Sequence, residues 1–122
     1  MLALTLVSGL ASASELNFVS VRVTVMEQVT ENTYRVELQR SAVEAGSMNI
    51  CSPAVLTVEY SWPWWRSGPT KQDHWQAVGF LLHASQTKTE IQFGGVGRVK
   101  DTDCSATVKA LSLNKGAVVA HF

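Results

Sequence analysis

Residues 51–83 read CSPAVLTVEYSWPWWRSGPTKQDHWQAVGFLLH, and how this stretch divides decides the fold. At its start, Ala54, Leu56, Val58 and Tyr60 alternate with Thr57 and Glu59, the two-residue period of a strand with one buried face. Pro53 suits the head of that strand, where no ladder donor is needed. At its end, Trp75, Ala77, Gly79 and Leu81 face one way and Val78, Phe80 and Leu82 the other. A run apolar on both faces predicts a central strand, covered on both sides or curling within a small barrel. Between them, Ser61 to Pro69 holds three of the four tryptophans and two of the three prolines, and the loop it starts runs on to His74.

Toward the N-terminus the alternation is stricter. Val19, Val21, Val23 and Val25 point one way, Ser20, Arg22 and Thr24 the other, and the β-branched side chains favour a strand. Glu27 to Asn32 reads as a turn. Tyr34, Val36 and Leu38 then alternate with Arg35, Glu37 and Gln39, completing a hairpin. Residues 41–49 break the period, and Ser41 to Gly46 suits either one short helix or a loop.

Toward the C-terminus, Ser85 to Lys88 predicts a turn and Thr89, Ile91 and Phe93 a return strand. Gly94, Gly95 and Gly97 in that strand predict a bulge or bend. With no helix following, they do not make a phosphate-cradling loop. Asp101 to Asp103 forms a further turn, and a strand runs from Ala106 to Leu113. Asn114-Lys115-Gly116 suits a tight hairpin with a left-handed glycine, and Val118, Ala120 and Phe122 close the chain. The expected fold class is all-β. It is a small antiparallel barrel or sandwich of about seven strands, OB-like being one form, with at most one short helix.

Composition narrows the class further. The chain has 122 residues, 46% hydrophobic and 16% charged, enough for one core and too apolar for disorder. Ten basic residues balance ten acidic ones, which argues against a nucleic-acid partner. Leu2 to Ala11 is apolar and ends in Ala11-Ser12-Ala13, the small-x-small form of a signal-peptidase site, although no Lys or Arg precedes it. We therefore expect residues 1–13 to be a signal peptide, residues 14–122 one β domain, and the location periplasmic or secreted. The run is too short for an integral membrane segment, which needs ~20 apolar residues.

Cys51 and Cys104 lie 53 positions apart, which excludes a CxxC motif. In an exported chain they are expected to form a disulfide. Closing so long a loop stabilises the fold by roughly 4 kcal/mol in the chain-entropy picture.

No catalytic signature is present. GxSxG is absent, and His74, His83 and His121 show no HxH, HxxxH or HExxH spacing, so neither metal nor cofactor is expected. Asp101 and Asp103 are too few oxygen ligands for calcium. The Trp loop is the candidate surface. Its indoles either cap the core or offer flat apolar area with an N–H donor, which suits a protein or polysaccharide ligand. Trp62 continues the preceding strand, so Trp64 and Trp65 are the candidate contact residues, with Arg66 and Lys71 beside them to pair acidic groups. Pro63 and Pro69 stiffen the loop and lower its ordering cost. The leading expectation is a binding domain without catalysis, for example an inhibitor of a secreted hydrolase. The alternatives are a structural component of the cell envelope and a small hydrolase built around His74.

Overall fold

A computed structural model of the protein describes residues 17–41, 53–96 and 104–122. The expected signal segment 1–13, the helix or loop over 42–46, Cys51, Gly97 and the Asp101–Asp103 turn lie outside the described residues. The described elements are β1 (Asn17–Thr30), β2 (Thr33–Arg40), β3 (Ala54–Glu59), α1 (Lys71–Thr87), β4 (Ile91–Val96), β5 (Ser105–Val108), β6 (Ala110–Asn114) and β7 (Ala117–His121). The all-β expectation and the number of strands both hold. All seven strands belong to one sheet, in the order β5-β3-β2-β1-β4-β7-β6.

The expected hairpin of β1 and β2 forms, but β1 runs on through Thr30. The turn expected over Glu27 to Asn32 therefore narrows to Glu31-Asn32, and the ladder changes phase twice. Val23 pairs with Leu38 but Val25 pairs with Glu37, so Thr24 is an extra residue in the ladder. A bulge of this kind flips the faces beyond it. Val19, Val21 and Val23 are buried, whereas past the bulge Met26, opposite Val36, takes the inward position that Val25 was expected to hold. A second shift at Val29 leaves that side chain 58% exposed. The bulges therefore lie in β1; Gly94 and Gly95, where one was expected, pair with β1 in unbroken register.

The expected strand over 75–83 is corrected. Residues 71–87 form α1, whose buried positions His74, Ala77, Val78, Leu81 and Ala84 follow the helical period. Trp75, Phe80 and Leu82 pack on the flanks of the core, which is why the run looks apolar on both faces. Thr70 and Asp73 close a reciprocal cap at its start: Asp73 N–H donates to Thr70 Oγ1 at 3.1 Å and Thr70 N–H to Asp73 Oδ2 at 3.0 Å. At its end Lys88 turns left-handed (φ 55°), and its N–H reaches the Ala84 carbonyl.

The strand expected from Ala106 to Leu113 is also corrected, because it divides at Lys109 into β5 and β6. β5 pairs β3 and β6 pairs β7, so these neighbours in sequence are the two edges of the sheet. Lys109 ties both edges. Its N–H donates to the His121 carbonyl and its own carbonyl accepts from Ser61 N–H, each at 2.8 Å. The sheet is not closed by hydrogen bonds between its edge strands, yet a single residue joins them. Of its six pairings, β3 with β5 and β4 with β7 are parallel and the other four are antiparallel. α1 lies on the inner face against β1 and β6, and Leu38, Leu81, Phe93, Leu111 and Val118 fill the space between.

Candidate functional site

The Trp loop bridges the end of β3 and the start of α1. Its ends are clamped: Tyr60 Oη donates to the Pro69 carbonyl at 2.9 Å, and Pro69 is buried. Thr70 follows at once as the helix cap, so the loop spans residues 61–69 and stops short of the His74 boundary expected from sequence. His74 instead occupies the first turn of α1.

Trp62 turns back onto the molecule. Its indole N–H donates to the Ser67 carbonyl at 3.3 Å, and the Arg66 guanidinium lies 4.6 Å from its ring centroid. The His121 ring meets it edge-on at 5.5 Å. Arg66 N–H donates to the Pro63 carbonyl at 3.2 Å, closing a turn whose two central residues are Trp64 and Trp65. Those two project away: Trp64 is 90% and Trp65 71% exposed. Their rings are 5.8 Å apart and nearly perpendicular, at 89°. Of the two readings open to the loop, each therefore describes a different indole. Trp62 is the brace, and Trp64 and Trp65 are the exposed pair.

Arg66 and Lys71 are exposed, Arg66 beside the indole pair in the loop and Lys71 as the first residue of α1. No carboxylate occurs between Tyr60 and Gln72, and the next one, Asp73, is engaged at the helix cap. Glu59, just before the loop, accepts from Thr33 Oγ1 at 2.8 Å on the neighbouring strand. The exposed tip thus carries two indoles and positive charge.

Two histidines lie near the base of this loop in different states. His74 is fully buried, and its Nδ1 accepts the Leu111 backbone N–H at 3.1 Å. Tyr60 and Trp75 meet its ring edge-on at 5.5 and 4.8 Å. Its Nε2 has no hydrogen-bond partner among the described residues. Burial holds its pKa below the ordinary histidine value. His121 is half-buried and shares a hydrogen bond between Nε2 and Ser112 Oγ at 2.9 Å. Burial, and then the Arg66 charge, lower its pKa. Among the described residues, no carboxylate hydrogen-bonds either imidazole, and no group of three or more His, Cys, Asp or Glu is placed to hold a metal.

Sequence reasoning missed the Ser112–His121 pair. The register contained it: the turn at Lys115-Gly116 sets Asn114 opposite Ala117 and Ser112 opposite Val119. That puts Ser112 and His121 diagonally on one face. Of the proposed disulfide, Cys104 is described and its carbonyl accepts from Val55 N–H at 2.7 Å.

Comparison with models of protein families, with curated proteins and with solved structures finds no match. Among the described residues, no helix is long and apolar enough to cross a membrane.

Proposed function

We propose that this chain is a small exported domain, closed by a Cys51–Cys104 disulfide, that acts by binding through its Trp loop. The observation that carries the reading is the pairing of two exposed indoles with a rigid base. Exposing Trp64 and Trp65 to water forgoes burial worth ~2 kcal/mol or more for each side chain. A loop whose sole task was to join β3 to α1 needs neither. Tyr60, Trp62, Arg66 and Pro69 brace the loop before any partner arrives, which keeps the ordering cost of binding low. The disulfide is supported by the parallel pairing of β3 with β5. It sets Cys104 beside the start of the strand that begins three residues after Cys51.

The test is capture of protein or polysaccharide from envelope and culture extracts. The oxidised wild type is compared with a Trp64→Ala/Trp65→Ala variant of unchanged circular dichroism. A partner held by the wild type and lost by the folded variant is the expected outcome. Equal capture by both would move the contact surface elsewhere.

A further inference from the structure

From the arrangement of the loop tip we infer that Trp64, Trp65, Arg66 and Lys71 form a seat for an anionic lipid surface. This rests on the contact-loop reading above and commits it to one partner. Three observations fit a bilayer interface, and the first of them separates it from a flat glycan.

The first is ring geometry. Stacking along an extended polysaccharide uses indoles that share a plane, whereas Trp64 and Trp65 stand at 89° with centroids 5.8 Å apart. Perpendicular rings make a wedge with apolar area on several sides. A wedge suits a medium that closes around it, and indoles partition to the headgroup level of bilayers, where one side is apolar and the N–H stays wet.

The second is charge. The segment from Tyr60 to Gln72 carries exposed Arg66 and Lys71 and no acidic residue, although the whole chain is balanced at ten and ten. Basic side chains beside interfacial aromatics are attracted to anionic headgroups within about a Debye length of the surface. Long basic side chains also keep their charge at headgroup level while their stems lie along the apolar boundary. Asp73, the nearest carboxylate on the helix side, accepts the Thr70 N–H and compensates the positive end of α1.

The third is rigidity. Arg66 is held over Trp62, and Trp62 is held by Ser67 and His121, so the cation and the wedge sit on one braced turn. The Arg66 N–H to Pro63 carbonyl bond closes the tip before contact, which lowers the ordering cost of binding.

The experiment is co-sedimentation of the full chain with vesicles of phosphatidylcholine alone and of phosphatidylcholine with phosphatidylglycerol. Tryptophan emission is read in parallel. The wild type is expected to bind the anionic vesicles at millimolar lipid, with a blue shift in emission, and to be released by high salt. Trp64→Ala/Trp65→Ala is expected to weaken this partition by about tenfold or more, since it removes the inserted area. Arg66→Gln/Lys71→Gln is expected to weaken it by roughly 30-fold on anionic vesicles, about fivefold per charge, with no change on neutral ones. Lys71→Gln alone leaves Trp62 untouched and keeps the charge test valid if Arg66→Gln disturbs the loop. Failure of the wild type to bind anionic vesicles, or equal binding to both compositions, would overturn the inference. If vesicles are ignored while a protein or glycan is still captured through Trp64 and Trp65, the contact loop stands and its lipid partner falls. If the double tryptophan variant keeps every partner, both readings fall.

Discussion

Gly68 lies against the edge of the Trp62 indole. A Cβ built there would come within 2.4 Å of Nε1 and 2.6 Å of Cε2, closer than real contacts allow. The indole cannot swing aside freely, because Ser67, Arg66 and His121 hold it on three sides. Gly68→Ala is therefore expected to destabilise the protein by about 1–2 kcal/mol, as overpacking does in a core. It should also alter tryptophan emission, since the brace under Trp64 and Trp65 shifts. Urea unfolding followed by fluorescence checks both, and a variant matching the wild type in midpoint and emission would show that Trp62 is not pinned. At this scale the sequence is partly legible. Trp62 continues the strand and Trp64 and Trp65 do not, and that alone separates the brace from the exposed pair. The partners of Trp62 were not legible. His121 reaches it from the far end of the chain, and no local pattern records a contact that the sheet order creates.

The helix is where periodicity misleads. Residues 75–83 contain no polar residue between Ala77 and Leu82, and a short apolar run fits a covered strand and a buried helix equally well. The deciding signals lay outside the run. Thr70-Lys71-Gln72-Asp73 spells a capping box with Asp in place of Glu, and the buried positions from His74 to Ala84 repeat every three or four residues. Read with its flanks, the segment is a 17-residue helix, too long for a typical strand. The cap itself is testable. Thr70→Ala removes the acceptor for the Asp73 N–H and is expected to cost ~1 kcal/mol, whereas Thr70→Ser keeps the hydroxyl and should be nearly neutral. Chemical denaturation of the three proteins measures this. Equal stability of the alanine and serine variants would mean that the box does not set the start of α1. By contrast, β2 and the part of β1 up to Val23 were legible residue by residue, because one face of each is buried and the other wet. Polar Glu27 to Thr30 read as a turn and are strand. The bulge at Thr24 escaped, since an extra residue between valines leaves no mark on composition.

Across the whole molecule, β character follows from pattern and turn signals, but strand order does not. The count of seven is kept because the strand lost to α1 is offset by the division at Lys109. Nothing local indicates that β5 and β6, one residue apart, pair with different neighbours, or that β4 and β7 run parallel. That order carries β6 back over α1, and it is why His74 on the helix meets the Leu111 N–H on the sheet. The contact gives the fold a pH dependence with a definite sign. Both His74 and His121 are lowered below the ordinary histidine value of about 6.5, mainly by burial, with Arg66 adding to the effect at His121. Above that value the imidazoles are neutral in folded and unfolded chains alike, and the two groups contribute no slope. As pH falls below it, the unfolded chain takes up protons that the folded chain resists, so stability is lost. The loss continues until the pH passes the lowered folded values. Each group contributes at most about 1.4 kcal/mol per pH unit in that window. For His74 the reason is geometric: protonation puts an N–H on Nδ1, where it faces the Leu111 N–H donor, and adds a charge in a site lined by Tyr60 and Trp75. Urea midpoints measured from about pH 7.5 to about pH 5 should fall progressively below about pH 6.5, ahead of the range in which carboxylates titrate. The His74 and His121 imidazole resonances of the folded protein should titrate at lower pH than in a denatured sample. A midpoint that stays level or rises as pH falls through this window would show that His74 opens to solvent, and that α1 and β6 are not held together as the buried contact requires.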